Sequence, residues 1–157
     1  MREKKLLEGK KILLIDDEPD VLDSLEQLLS MCDVVKAVAF NESKELLETQ
    51  YFDIAIIDIM GVRGYELLEI AKEKNVLSVM LTAHALNPEN IEKSYKNGAA
   101  SFVPKEEMAN IEIFLNDILE AQEKGKSLWW RWLDRLADYC ERKFGPDWQE
   151  KHRITVR

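Results

Sequence analysis

A pair of carboxylates, Asp16-Asp17, closes the apolar run KILLI, and a single one, Asp58, closes FDIAII. Thr82 closes VLSVML, and Lys105 follows SFVP. Taken singly, each has an ordinary structural use: an Asp at a strand end caps the next helix, Lys105 is a solvated lysine, Thr82 is a strand threonine. Gathered, they are different. Like unit charges 4 Å apart repel by about 4 kcal/mol at an effective dielectric of about 20. Three assembled carboxylates therefore require a cation or a proton. Hard oxygen ligands favour Mg²⁺ or Mn²⁺ over Zn²⁺, and no His or Cys is placed to compete. A carboxylate beside Mg²⁺ can attack phosphorus and form an aspartyl phosphate. The transferring phosphoryl oxygens would then be matched by the metal, the Lys105 ammonium and the Thr82 hydroxyl.

The elements that must position these residues alternate between two patterns. Short β-type runs cover 11–16, 34–40, 52–58, 76–82 and 101–104. A helical pattern follows each. After the first, Asp17 or Glu18 is a candidate cap, with Pro19 in the first turn and Val21, Leu22, Leu25, Leu28 and Leu29 at helical spacing. Asn41 is the candidate cap of the second helix, and Leu67, Leu68 and Ala71 mark one face of the third. Asn87-Pro88 opens the fourth, which Gly98 stops, and one long helix is expected over 105–124. Strand–helix alternation predicts an α/β fold, a parallel sheet with helices on both faces. Function in such sheets sits beyond the C-terminal strand ends, where Asp16, Asp17, Asp58, Thr82 and Lys105 fall. No Gly-rich loop follows the first strand, which weighs against a dinucleotide fold.

Composition narrows the class. The net charge of −8 argues against nucleic acid as a partner of the whole chain. No apolar run approaches the roughly 20 residues of a membrane helix, so no transmembrane segment is expected. The N-terminus lacks a secretory h-region. Cys32 and Cys140 lack metal-type spacing and read as reduced thiols of a cytoplasmic protein. Charge is uneven: residues 1–125 sum to −11 and residues 126–157 to +3, and all four tryptophans lie in the second part.

The strand-end set resembles the receiver domain of two-component response regulators. The resemblance covers about residues 8–124. It implies a flavodoxin-like five-stranded parallel sheet in the order 2-1-3-4-5, with a receiver domain over 1–124 and a helical C-terminal extension over 125–157. By family analogy Asp58 accepts the phosphoryl group, and Asp16, Asp17, Asp58 and the Met60 carbonyl bind Mg²⁺. Thr82 is the switch hydroxyl, Phe102 takes the place of the switch aromatic, and Lys105 contacts the phosphate. The implied donor is a histidine kinase or phosphotransfer protein, the output is protein–protein binding, and phosphorylation and slow hydrolysis are self-catalysed. Met60 and His84 flank the path of attacking water and are expected to set the phosphoryl lifetime. The pattern is broken in the loop, where Gly64 is only six residues after Asp58 with no proline between, so the segment carrying Met60 is shorter than is usual for the family; and Pro104 precedes Lys105, where the family commonly has Lys-Pro. That loop supports an alternative, a receiver-like scaffold that binds partners without phosphate. A haloacid-dehalogenase-type phosphatase would need a second Asp where Met60 stands.

In the extension, Trp129, Leu133, Leu136, Cys140 and Phe144 follow helical spacing until Gly145-Pro146. Trp129, Trp130 and Trp132 cannot all face one side, so at least one exposed indole is expected. The segment could fold back on the receiver, form a homodimer or dock a partner through 128–148, or lie on a membrane surface. No helix-turn-helix pattern is visible, so no DNA-binding domain is expected.

Overall fold

The computed structural model describes residues 6–83 and 87–151. Five parallel strands, β1 Lys11–Ile15, β2 Asp33–Ala37, β3 Ile54–Asp58, β4 Leu77–Thr82 and β5 Ser101–Pro104, form one sheet in the order β2-β1-β3-β4-β5. Between and after them run α1 Pro19–Leu28, α2 Phe40–Thr49, α3 Gly64–Glu73, α4 Pro88–Lys96 and α5 Ile111–Lys124. Every residue of β3 is buried, so both faces of the sheet are covered. α1 packs on α5, and α2 packs on α3. The parallel sheet is the one expected from the strand–helix alternation, and its order is the flavodoxin-like one that the receiver resemblance implies. The core is aliphatic, with Ile12, Leu13, Leu14, Ile54, Ile56 and Val79 removed from solvent.

Register brings the strand ends together. Ile15 pairs with Ile57, so Asp16 and Asp58 follow side by side. Asp58 pairs with Leu81, the residue before Thr82, and Thr82 pairs with Pro104, the residue before Lys105.

Several local expectations are corrected. The N-cap of α1 is Glu18, and neither its side chain nor that of Asp17 caps; instead Asp16 Oδ1 accepts the Glu18 N–H at 2.9 Å. α2 begins at Phe40 with Ala39 as N-cap, so Asn41 lies inside the first turn. The Val38 N–H there donates to Glu42 Oε1 at 3.0 Å, a local bond that favours the earlier start. The long helix expected from 105 is broken: Lys105–Asn110 is a 3-10 helix, and α5 starts at Ile111. Asn87 does cap α4, accepting the Asn90 N–H at 2.7 Å, and Gly98 stands beyond that helix at φ +89°.

Gly125, at φ +68°, ends α5. Beyond it come α6 Trp132–Phe144 and the short α7 Trp148–Lys151. Trp129 precedes α6, so the buried face differs from the expected stripe. Trp132, Leu136, Tyr139 and Cys140 form it, whereas Leu133 and Phe144 are partly exposed. The turn over 127–132, in which Ser127 and Trp129 carbonyls accept from Trp130 and Trp132, splays the three indoles. Each then finds a backbone carbonyl: Trp129 donates to Ala99 (2.7 Å), Trp130 to Asp117 (3.3 Å) and Trp132 to Phe102 (2.8 Å). Trp130 is the half-buried one, with the Arg131 guanidinium 4.2 Å over its ring. Arg135 forks onto Asp117 of α5 with two 2.9 Å bonds. The extension is thus folded back on α4, β5 and α5, and its positive charge is used against the acids of α5. Among the described residues no helix is long and apolar enough to cross a membrane.

Both cysteines are free. Burial pushes the Cys140 thiol up to about 12, and burial, with the Glu112 charge adding, pushes Cys32 up to about 11. Unfolded thiols ionise near pH 8.5, about two units or more earlier. As pH rises, the unfolded state releases those protons first, so the folded state loses stability. The unfolding free energy from urea titrations is expected to fall between about pH 8.5 and pH 11, by up to about 1.4 kcal/mol per pH unit for each thiol. Cys140→Ala should flatten that slope while leaving the sign unchanged, because Cys32 remains.

Candidate functional site

Asp16 leaves β1 fully buried, because the strand register holds it beside Asp58 rather than at the surface. One of its oxygens is tied by the Glu18 N–H, and the other, Oδ2, lies 2.9 Å from Lys105 Nζ. That contact is an ion pair without hydrogen-bond alignment. Lys105 also meets Glu18 Oε1 at 2.9 Å and Asp58 Oδ1 at 3.5 Å. Burial raises the proton affinity of Asp16, and the Asp58 charge adds to this, while Lys105 and the Glu18 N–H oppose it; the net direction is up. For Lys105 burial alone would lower the pKa. Its close contacts with Glu18 and Asp16 and the charges of Asp16 and Asp58 outweigh that, so the ammonium is held well above its ordinary range.

The loop after β3 is built by glycines. The Gly61 N–H donates to Asp58 Oδ2 at 2.9 Å, and the Gly64 N–H closes the turn on the Ile59 carbonyl at 3.0 Å. A Cβ on Gly61 would fall 2.3 Å from the Asp17 carboxyl, and one on Gly64 would fall 2.4 Å from the Asp58 carbonyl oxygen. Between them Arg63 adopts the left-handed region at φ 56°, forks onto Glu66 and stacks 3.8 Å over the Phe40 ring.

A cleft of about 300 Å³ opens here, lined by Asp17, Glu18, Asp58, Met60, Gly61, Thr82, Ala83 and Lys105. The structure thus brings together Asp16, Asp17, Asp58, Met60, Thr82 and Lys105. Thr82 is buried at the end of β4, and Met60 is 64% exposed at the cleft mouth. Phe102 is fully buried on β5, beneath the extension. His84 lies outside the described residues. Two participants went unread in the sequence. Glu18 reads in the sequence as a helix cap, yet its carboxylate holds Lys105. Gly61 acts through its N–H, which no side-chain pattern reveals.

Residues 12–114 match the response regulator receiver domain family. The chain belongs to that family. Among curated relatives, the two-component response regulator ARR18 of Arabidopsis thaliana is 32% identical over 110 residues, covering 66% of this chain and 17% of that protein. The heme response regulator HssR of Staphylococcus saprophyticus is 34% identical over 100 residues, covering 59% of this chain and 43% of that protein. The chain therefore spans less than half the length of either relative. Among solved structures, a CheY-like receiver domain protein from Methanospirillum hungatei has a TM-score of 0.67 at 29% identity, over 74% of this chain and 98% of that one.

Receiver domains typically bind Mg²⁺ at an acidic pocket, and this receiver's residues fit the ion. Carboxylate oxygens of Asp16, Asp17 and Glu18 lie within 4.8 Å of one another. The donors are hard oxygens, and Gly61 leaves its Cβ space to the Asp17 carboxyl.

Gly61→Ala should displace Asp17, a movable exposed side chain, and weaken Mg²⁺ binding by about tenfold or more with little loss of stability. Gly64→Ala meets backbone, which cannot swing away, and should cost about 1–3 kcal/mol. Mg²⁺ titration calorimetry and urea unfolding on both variants separate the two effects. Unchanged Mg²⁺ affinity in Gly61→Ala would remove Asp17 from the ligand set.

Proposed function

We propose that this receiver accepts a phosphoryl group on Asp58 from a phosphohistidine on a histidine kinase or phosphotransfer protein, in the cytoplasm, and passes the signal on by protein–protein binding. The observation that carries this reading is the Lys105 ammonium beside Asp58 Oδ1 in a cleft that also holds Thr82 and the acidic pair.

The two Asp58 oxygens have different surroundings. Oδ2 is occupied by the Gly61 N–H, while Oδ1 faces Lys105. Oδ1 is the nucleophile: it forms the new P–O bond as the P–N bond to the donor imidazole breaks, and the imidazole leaves with a proton from solvent. Oδ2 becomes the carbonyl oxygen of the acyl phosphate and keeps the Gly61 bond. Lys105 balances one phosphoryl oxygen and the Thr82 hydroxyl donates to another. Asp16, Asp17, Asp58 and the Met60 carbonyl would hold Mg²⁺, which would supply further positive charge at this site. Hydrolysis reverses the state: water attacks phosphorus, inorganic phosphate leaves, and the Asp58 carboxylate returns. Met60, exposed at the cleft mouth, narrows the approach of that water.

Incubation with acetyl phosphate and Mg²⁺ is expected to add about 80 Da, the mass of an acyl-linked phosphoryl group, and Asp58→Asn should abolish the adduct. No adduct, or one that survives Asp58→Asn, selects a scaffold that binds partners without phosphate. Met60→Asn is expected to change the adduct's half-life, followed by the decay of the mass increment, without preventing its formation.

A further inference from the structure

The C-terminal extension grips the receiver at two kinds of place. One kind is remote from the cleft. Arg135 forks onto Asp117 of α5, and Arg131 lies 3.3 Å from Glu120 on the same helix. The other kind adjoins Lys105 in the chain. Trp132 donates to the carbonyl of Phe102, Tyr139 donates to Glu106, and Lys143 lies 3.9 Å from Glu106. Glu106 is the residue after Lys105, and the two open the 3-10 helix Lys105–Asn110. Such a helix has poorer hydrogen-bond geometry than an α-helix and yields more readily.

We propose that the extension is an intramolecular latch read out by Asp58: a phosphoryl group there draws Lys105 inward, carries Glu106 with it, and releases α6 from the receiver. This rests on the phosphoacceptor role of Asp58 proposed above. The driving charge is about −1.5 to −2, placed beside an ammonium that is shared among Asp16, Glu18 and Asp58. Lys105 moves toward the new charge and away from Glu18. Asp117 sits on α5 and does not follow. The two grips on α6 are thereby pulled out of register, and the Tyr139–Glu106 contact gives way. Linkage makes the effect reciprocal: weakening that contact must alter how readily the receiver holds the phosphoryl group.

Two reporters lie within the extension. Cys140 is buried on α6, and all four tryptophans of the chain belong to this segment. The experiment uses the full chain carrying Cys32→Ser, so that Cys140 is the only thiol. Iodoacetamide labelling and tryptophan emission are followed with and without acetyl phosphate and Mg²⁺, with the adduct scored by intact mass in the same samples. Phosphorylated protein is expected to label Cys140 about tenfold faster, within the usual range of such couplings, with a shift in tryptophan emission. Asp58→Asn should show neither change. Tyr139→Phe, which keeps the ring, and Glu106→Gln, which keeps the shape, should raise labelling without phosphodonor and change the decay rate of the adduct. An adduct with unchanged labelling and emission overturns the latch and leaves the phosphoacceptor reading intact. Absence of any adduct overturns both. Labelling in Tyr139→Phe and Glu106→Gln that matches the parent also overturns the latch, because the Glu106 grip would then hold nothing.

Discussion

The ammonium of Lys105 lies 2.9 Å from Asp16 and Glu18 and 3.5 Å from Asp58, and it is the counter-charge that lets the parallel sheet end in carboxylates at all. Asp16 is fully buried. An unpaired carboxylate in that position would cost several kcal/mol or shed its charge. One short residue run, Pro104-Lys105, therefore binds the edge of the sheet to its centre. The same ammonium is the group that the proposed phosphoryl ligand would recruit, so one contact would serve both stability and response. One ammonium is shared among three carboxylates, and an added anion would redistribute that sharing without creating a new contact from nothing.

The short loop after β3 answers to the same constraint. With few residues available, the chain must pass close to Asp17 and turn at once into α3. Glycine fits at 61 and 64 without displacing anything: a Cβ would fall 2.3 Å from the movable Asp17 carboxyl at the first and 2.4 Å from fixed backbone at the second. The compression has a chemical result. It aims the Gly61 N–H at one Asp58 oxygen and leaves the other toward Lys105. Shortness thus separates the two carboxylate oxygens rather than disordering the site.

The parallel sheet and the positions of its chemical residues were legible from strong, local signals, and the order of the strands from the family resemblance those residues carry. Asp16, Asp58, Thr82 and Lys105 each stand where an apolar run stops, and the parallel register places such stops side by side. The cap at Asn87 was legible for the same reason. Helix starts were less so. Asn41 resembles a cap, but the Glu42 side chain reaches back to the Val38 N–H, and α2 begins earlier. The break at Asn110 was hidden because the residues around it carry ordinary helical propensity. Glu18 looked like a helix-start acid, and its bond to Lys105 spans 87 residues, a separation no periodicity reports. The extension was read as a regular stripe, but the turn before α6 puts Trp129 off the helix and moves the buried face to Trp132, Leu136, Tyr139 and Cys140.

Why the extension uses indoles, and not simply more leucine, follows from what it covers. β5 has β4 as its sole strand neighbour and is an edge of the sheet. Edge strands present backbone groups that need partners, and a helix laid over them excludes water. Leucine would bury the carbonyls of Ala99 and Phe102 without a donor, at about 1–3 kcal/mol for each unsatisfied group. Tryptophan brings apolar area and one N–H together. Trp129 and Trp132 use both, with their rings 5.1 Å apart and their N–H groups on those two carbonyls. Such a cover is matched to backbone positions of β5 and of the segment that leads into it, not merely to an apolar patch. A patch tolerates sliding, whereas a donor aimed at one carbonyl does not. The extension is therefore registered to β5, the strand that leads into Lys105, which is the attachment that the proposed latch requires.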